Sequence, residues 1–174
     1  MSWEISIKDF KSYLQIERSL SKNSVEAYIR DIKKFAIYAI SLKLDVLDVS
    51  RENISVFLKL LNNDNISARS QARIISGIKA FYRYLIIEDY TTHNPTELIE
   101  SPKTGLKLPD TLSLVEIDKL IQAVDLSNKQ GERNRAILET LYSCGLRVSE
   151  LINLQLSNVY FKEHYIRIIG KGDK

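Results

Sequence analysis

Arg147 and Glu150 stand three residues apart in Cys144-Gly145-Leu146-Arg147-Val148-Ser149-Glu150-Leu151, and Lys171 lies between two glycines in Gly170-Lys171-Gly172. An arginine and a lysine converging on one phosphate form the electrostatic half of a phosphoryl-transfer site: the guanidinium grips two oxygens and the ammonium adds a point charge. Gly145 permits a tight turn between helices, which puts Arg147 in the first turn of the next one. A cation there is disfavoured by the helix dipole unless an anion compensates, and a phosphate is such an anion. Glu150 falls on the same face, where it can brace the guanidinium. Taken singly, each feature has a plainer explanation. An exposed Arg–Glu pair is worth under about 1 kcal/mol, and Gly-Lys-Gly is also the composition of a loose tail.

A second group of cations lies further upstream. With Arg69 at zero on a helical wheel, Arg73 falls near about 40° and Arg83 near about −40°, opposite the Ile74/Ile78 stripe and with Lys79 at the margin. Guanidinium groups along one stripe can hold phosphate oxygens and fix a helix against a DNA groove. Lys22, Asn23 and Ser24, at the start of an earlier helix, add free backbone N–H groups suited to a phosphate. A solvated charged face and an ordinary helix cap explain these residues equally well, so position alone does not identify a DNA contact.

The elements that must carry these residues are mostly helical. Ile7, Phe10 and Leu14 recur at helical spacing and predict a helix over 5–18. Val25, Tyr28, Ile29, Ile32, Ala36 and Ala39 form the stripe of a second. A third is expected over 51–61 with Ser50 as cap, and a fourth over 67–88 with Ile74, Ile78, Phe81 and Leu85 inward. Gly77, inside the fourth, costs about 1 kcal/mol relative to Ala, which suggests close packing against a neighbour. His93-Asn94-Pro95 ends the bundle, and the stretch from Ser101-Pro102 to Pro109 reads as an extended linker. Ser113 with Glu116 is a capping box for a helix to about residue 124. Further helices are expected over 133–143 and 147–154, then a hairpin of Val159-Tyr160-Phe161 and Tyr165 to Ile169 around Lys162-Glu163-His164. The expected organisation is a helical domain over 1–98, a linker over 99–110 and the start of a second domain over 111–174.

Composition excludes several classes. The chain has 174 residues, 44% hydrophobic and 27% charged, with 6 Gly and 3 Pro, enough for a packed core and too ordinary for a low-complexity chain. A net charge of +3 is too small to announce a nucleic-acid partner. A single cysteine excludes an internal disulfide and suits a reducing compartment. No apolar run is long enough to span a bilayer, and Met1-Ser2-Trp3-Glu4 lacks the order of a signal peptide, so the expected location is the cytoplasm and no membrane partner is expected.

As an ordered set, these features resemble the tyrosine recombinase (phage integrase) family, and within it the Xer type, over essentially the whole chain. Ile16 to Ser24 with Tyr28 and Asp31 looks like the start of that family's core-binding domain, and Arg73, Gly77, Phe81, Tyr82 and Leu85 look like its last long helix. Gly145-Leu146-Arg147-Val148-Ser149-Glu150-Leu151 is the most specific stretch, and its interval to Gly170-Lys171-Gly172 agrees with the family's. The resemblance implies a mainly α fold: a four-helix SAM-like core-binding bundle, then the first helices and a β-hairpin of a truncated catalytic domain. It implies site-specific DNA recombination, of the integration or chromosome-partition type, through a 3′-phosphotyrosyl intermediate. The partner would be double-stranded DNA and the parent a tetramer on two duplexes, with a paralogous recombinase as a further partner of the kind the resemblance allows. Arg147 would stabilise the scissile phosphate, Lys171 would protonate the leaving 5′ oxygen, and Glu150 would support the site. The DNA-binding set would be Lys22, Asn23, Ser24, Arg69, Arg73, Lys79 and Arg83. Neither metal nor other cofactor is implied.

The chain also departs from the family pattern. The family's His-x-x-Arg, its later His or Trp and its nucleophilic Tyr follow the hairpin, and no counterpart occurs within these residues. His93 and His164 are expected to be solvated. Tyr28, Tyr82 and Tyr142 are expected in the core, and Cys144 as a packed helix end. The expectation is therefore a truncated chain that binds DNA without cleaving it, with 64 residues of a larger domain that are marginal alone. A stand-alone DNA-binding accessory module and a helical protein–protein module are the alternatives.

Overall fold

The computed structural model describes residues 1–103, 105 and 108–168. It divides into two compact units, Met1–Lys107 and Leu108–Lys174. The first is built from α1 (Trp3–Ile16), α2 (Lys22–Ser41), α3 (Arg51–Asn63) and α4 (Ala68–Ile87), with a short 3-10 turn at Val46–Asp48. Serines start three of these helices. Ser21 caps α2 and Ser67 caps α4, while Ser50 and Asn53 cap each other at the start of α3 (Ser50 N to Asn53 Oδ1, 2.8 Å). Each helix satisfies its last carbonyls through a left-handed residue, namely Ser19, Lys43, Asn65 and Asp89.

Helical periodicity brings the apolar stripes together in one core. Phe10, Ile32, Phe35, Ala39, Phe81 and Leu85 are fully enclosed. Trp3 stacks on Phe81 at 5.9 Å between ring centres, and its indole N–H donates to Leu44 O at 3.0 Å. Tyr82 is buried as expected, and its hydroxyl donates to Val46 O at 3.0 Å. Burial pushes that hydroxyl's pKa well up, so it stays a donor. Tyr28 is half-buried and packs edge-on against Phe10. The buried set continues to Ile99, one residue beyond the expected domain end, because Asn94 folds the chain back by accepting from Thr96 N and Thr96 Oγ1.

Gly77 lies on the side of α4 that faces Asp31 of α2. A Cβ built on it would stand 3.1 Å from Asp31 Cβ, so the sequence's one interior helical glycine in the bundle marks a close approach, as expected.

The second unit carries α5 (Leu114–Gln122), α6 (Gly131–Cys144), α7 (Val148–Ile152), a 3-10 turn at Leu156–Asn158 and the antiparallel pair β1 (Val159–Tyr160) and β2 (Tyr165–Ile166). Ser113 and Glu116 form the expected capping box. The hairpin pairs Val159 with Ile166 and Tyr160 with Tyr165, whose rings stack at 4.4 Å. Phe161 falls in the turn rather than in the strand, and Ile169 lies outside the described residues. Two core expectations fail in this unit. Tyr142 is 49% exposed and Cys144 is exposed, because α6 has no apolar layer over that face among the described residues.

Candidate functional site

Arg147 is the N-cap of α7, one position before the first turn where the sequence placed it. Gly145 makes this possible: it adopts a left-handed conformation at φ 61° and ends α6, and Leu146 N then bonds back to Leu141 O. Glu150 closes on the arginine from both sides. Its Oε2 accepts the Arg147 backbone N–H at 2.8 Å, and its Oε1 accepts from Arg147 Nη1 at 2.6 Å. Those two bonds hold the Glu150 carboxyl below its usual pKa, the backbone N–H first and the guanidinium second. The guanidinium itself is 75% exposed against 13% for the Glu150 side chain. An exposed, always-charged fork braced from behind is suited to an incoming phosphate. Lys171, expected beside it, lies outside the described residues.

The bundle places the basic residues on the start of α2 and along α4. Lys22 and Asn23 are exposed in the first turn of α2, and Ser24 is half-buried. The cap is Ser21, which takes the Ser24 N–H and pairs with the Ser24 hydroxyl, so Asn23 is not spent on capping. Arg69 is exposed in the first turn of α4. Arg73 is engaged: its Nη1 donates to Asp31 Oδ2 at 2.6 Å, with the arginine side chain 46% exposed and the aspartate 5%. Lys79 is half-buried and Arg83 exposed; both line a pocket with Tyr28 of α2 and Arg18. Asp31 thus meets Arg73 while the earlier Tyr28 shares a pocket with the later Lys79 and Arg83, so α2 and α4 run in opposite directions. Arg69 lies past Arg73, away from the Tyr28 side. Arg69, Arg73 and Arg83 are all exposed on this one continuous helix, α4, and they differ in partners: Arg73 has Asp31, while Arg83 shares its pocket with Lys79 and Arg18.

Asp31 is the buried partner of Arg73, a role that composition and charge position did not reveal. Burial pushes its carboxyl above the usual range, against the lowering by Arg73, Arg30 and Lys34. A charge this enclosed is retained only with a partner. The signal was available: Asp31 falls between Tyr28 and Phe35 on the inward stripe of α2, an acidic residue at a core position. Arg18, which the sequence placed at the end of the first helix, lies two residues beyond the end of α1 and lines the same pocket as Lys79 and Arg83.

Among the described residues no group of three His, Cys, Asp or Glu side chains is placed to hold a metal ion, and no helix is long and apolar enough to cross a membrane.

Comparison with known proteins gives both units a counterpart. Residues 7–89 match the phage integrase N-terminal SAM-like domain, and residues 110–174 match the phage integrase family. The tyrosine recombinase XerD of Staphylococcus haemolyticus (strain JCSC1435) is 39% identical over 172 residues, covering 98% of this chain and 58% of that protein. XerD of Staphylococcus aureus (strain Mu50 / ATCC 700699) is 41% identical over the same length and shares. The chain therefore spans 58% of the length of these curated relatives. Among solved structures, a lambda integrase tetramer bound to a Holliday junction matches with a TM-score of 0.75 at 20% identity, over 99% of this chain and 48% of that one. XerH site-specific recombinase bound to a palindromic difH substrate matches with a TM-score of 0.70 at 18% identity, over 97% and 51%. At those identities the likeness is one of fold, and the mainly helical architecture expected from the sequence agrees with it.

Proposed function

The chain belongs to the phage integrase family of tyrosine recombinases, and from that premise we propose that it serves site-specific DNA recombination, with its bundle holding duplex DNA. The observation that carries this reading is Arg147, presented to solvent while Glu150 fixes its guanidinium at 2.6 Å. In that role Arg147 stabilises the charge developing on the non-bridging oxygens of the scissile phosphate, and Glu150 positions it. Lys171 protonates the leaving 5′ oxygen. The side chains themselves supply the charge stabilisation that a metal supplies elsewhere, so no metal or other cofactor is part of the proposal.

The bundle's share is to hold the duplex through Lys22, Asn23 and Ser24 at the start of α2 and through Arg69 on α4, with Arg73, Lys79 and Arg83 along the same helix. These are phosphate contacts, which set orientation and register without reading sequence. The complete reaction would proceed in a tetramer on two duplexes, in the cytoplasm. None of the nine tyrosines is assigned as nucleophile, so residues 1–174 are expected to bind without strand transfer. A suicide duplex, nicked so that a covalent intermediate accumulates, tests both parts. Retention of the duplex without a protein–DNA adduct is expected. An adduct would overturn the assignment of no nucleophile, and failure to retain duplex would overturn the DNA-holding role.

A further inference from the structure

Between α1, α2 and α4 lies a pocket of about 290 Å³, near the lower size of small-molecule sites. Its floor and walls are aromatic: Phe10 and Tyr13 from α1 and Tyr28 from α2, with Phe10 edge-on to Tyr28 at 6.4 Å and parallel to Tyr13 at 6.3 Å. Its rim carries three cations, Arg18, Lys79 and Arg83. None of the three has a carboxylate partner within ion-pair distance among the described residues, and no acidic side chain lines the pocket. The contrast with Arg73, which shares its charge with Asp31, is direct.

Three unneutralised cations at one concavity call for a multiply charged anion rather than a single carboxylate. The tyrosine rings beside them call for a planar body that stacks, and guanidinium planes stack on such a body as well. We propose that this pocket binds a nucleoside phosphate, the phosphate held by Arg18, Lys79 and Arg83 and the base set against Tyr13 and Tyr28. Two sources share that chemistry: a free nucleotide, or an unpaired nucleotide of a DNA strand, whose base is available for stacking. The site shares Lys79 and Arg83 with the duplex-holding set proposed above and goes beyond it in adding Arg18 and a stacking surface for an exposed base.

Calorimetric titration of the whole chain with deoxyadenosine monophosphate tests it, with inorganic phosphate and deoxyadenosine as separate probes. The nucleotide is expected to bind at least about tenfold more tightly than either fragment, since each fragment uses only part of the pocket. Arg18→Ala and Arg83→Ala are each expected to weaken it several-fold, with Trp3 fluorescence showing that the bundle remains folded. A fully paired duplex competes only through the shared Lys79 and Arg83, so displacement by a duplex with one unpaired adenosine at clearly lower concentration assigns the site to DNA, and equal displacement by the two duplexes assigns it to free nucleotide. Phosphate binding as tightly as the nucleotide, or indifference to both substitutions, would each overturn the proposal. Loss of nucleotide binding with duplex retention intact sinks this site alone, whereas loss of duplex retention sinks the role proposed above.

Discussion

Replacing Arg73 by alanine leaves Asp31 enclosed without its nearest cation, and the cost follows from the geometry. The pair is joined at 2.6 Å with Asp31 almost fully buried and Arg73 about half exposed. Breaking a fully buried pair costs roughly 3–5 kcal/mol, and an exposed pair contributes about 1 kcal/mol or less. This mixed case falls between, at about 2 kcal/mol at neutral pH. Arg30 and Lys34 remain to moderate the loss.

The deficit should depend on pH with a definite sign. Burial already raises the folded-state pKa of Asp31, and removing Arg73 takes away the largest lowering influence and raises it further. A group with a raised folded pKa favours the folded state where it is protonated, and that advantage disappears as pH rises through the folded value. Below the unfolded value of about 4 Asp31 is neutral in both states, so the variant's deficit shrinks as pH falls from 7 to 4. Other carboxylates are common to both proteins and largely cancel in the difference. Urea unfolding read by fluorescence is suited to the measurement, because the single tryptophan, Trp3, is buried in the bundle and the second unit has none. A deficit of about 2 kcal/mol corresponds to a fall in Tm of roughly 10 °C for a domain of this size. Asp31→Asn is expected to cost less than Arg73→Ala, since a neutral amide needs no cation. A deficit below about 0.5 kcal/mol at neutral pH, or one unchanged between pH 7 and 4, would refute the reasoning.

Gly77→Ala is expected to destabilise the bundle by about 1 kcal/mol despite alanine's better helix propensity, because its Cβ would press on Asp31 Cβ at 3.1 Å; the same Trp3 melt measures it. Ser113→Ala removes the hydroxyl that takes the Glu116 N–H, and about 1 kcal/mol of protection is expected to disappear from the first turn of α5 in hydrogen exchange. Glu150 has a lowered pKa, so its hold on Arg147 is expected to persist above the ordinary carboxyl value and to fail only as pH falls through the lowered one. The nitrogen-15 shift of Arg147 Nε reports that transition.

The four bundle helices were legible because their apolar stripes are regular and a start signal such as Ser50 is strong. Their ends were harder to read: Ser19, Lys43, Asn65 and Asp89 take the left-handed position where a glycine would have announced itself. Gly77 was legible as a close approach, but its partner was not, since nothing local pairs residue 31 with residue 77. A helical wheel places the cations of α4 on one face but carries nothing about the partner of each. Asp31 of α2 takes Arg73, and Tyr28 of α2 shares a pocket with Lys79 and Arg83. Tyr142 and Cys144 were assigned inward from local pattern, although burial depends on what lies across from a helix. The Arg147–Glu150 pair was legible in full, being local, and only its exact position at the helix start differed.

The central claim is that the bundle holds duplex DNA through phosphate contacts, and the salt dependence of duplex binding tests it most directly. Fluorescence anisotropy of a labelled duplex, followed from low to physiological salt with the native chain and with Arg69→Ala, gives the slope of log K against log salt. The account predicts a steep negative slope for the native chain and a slope shallower by about one for Arg69→Ala, the signature of one lost phosphate contact. Binding that ignores salt, or an Arg69→Ala slope equal to the native one, would contradict it.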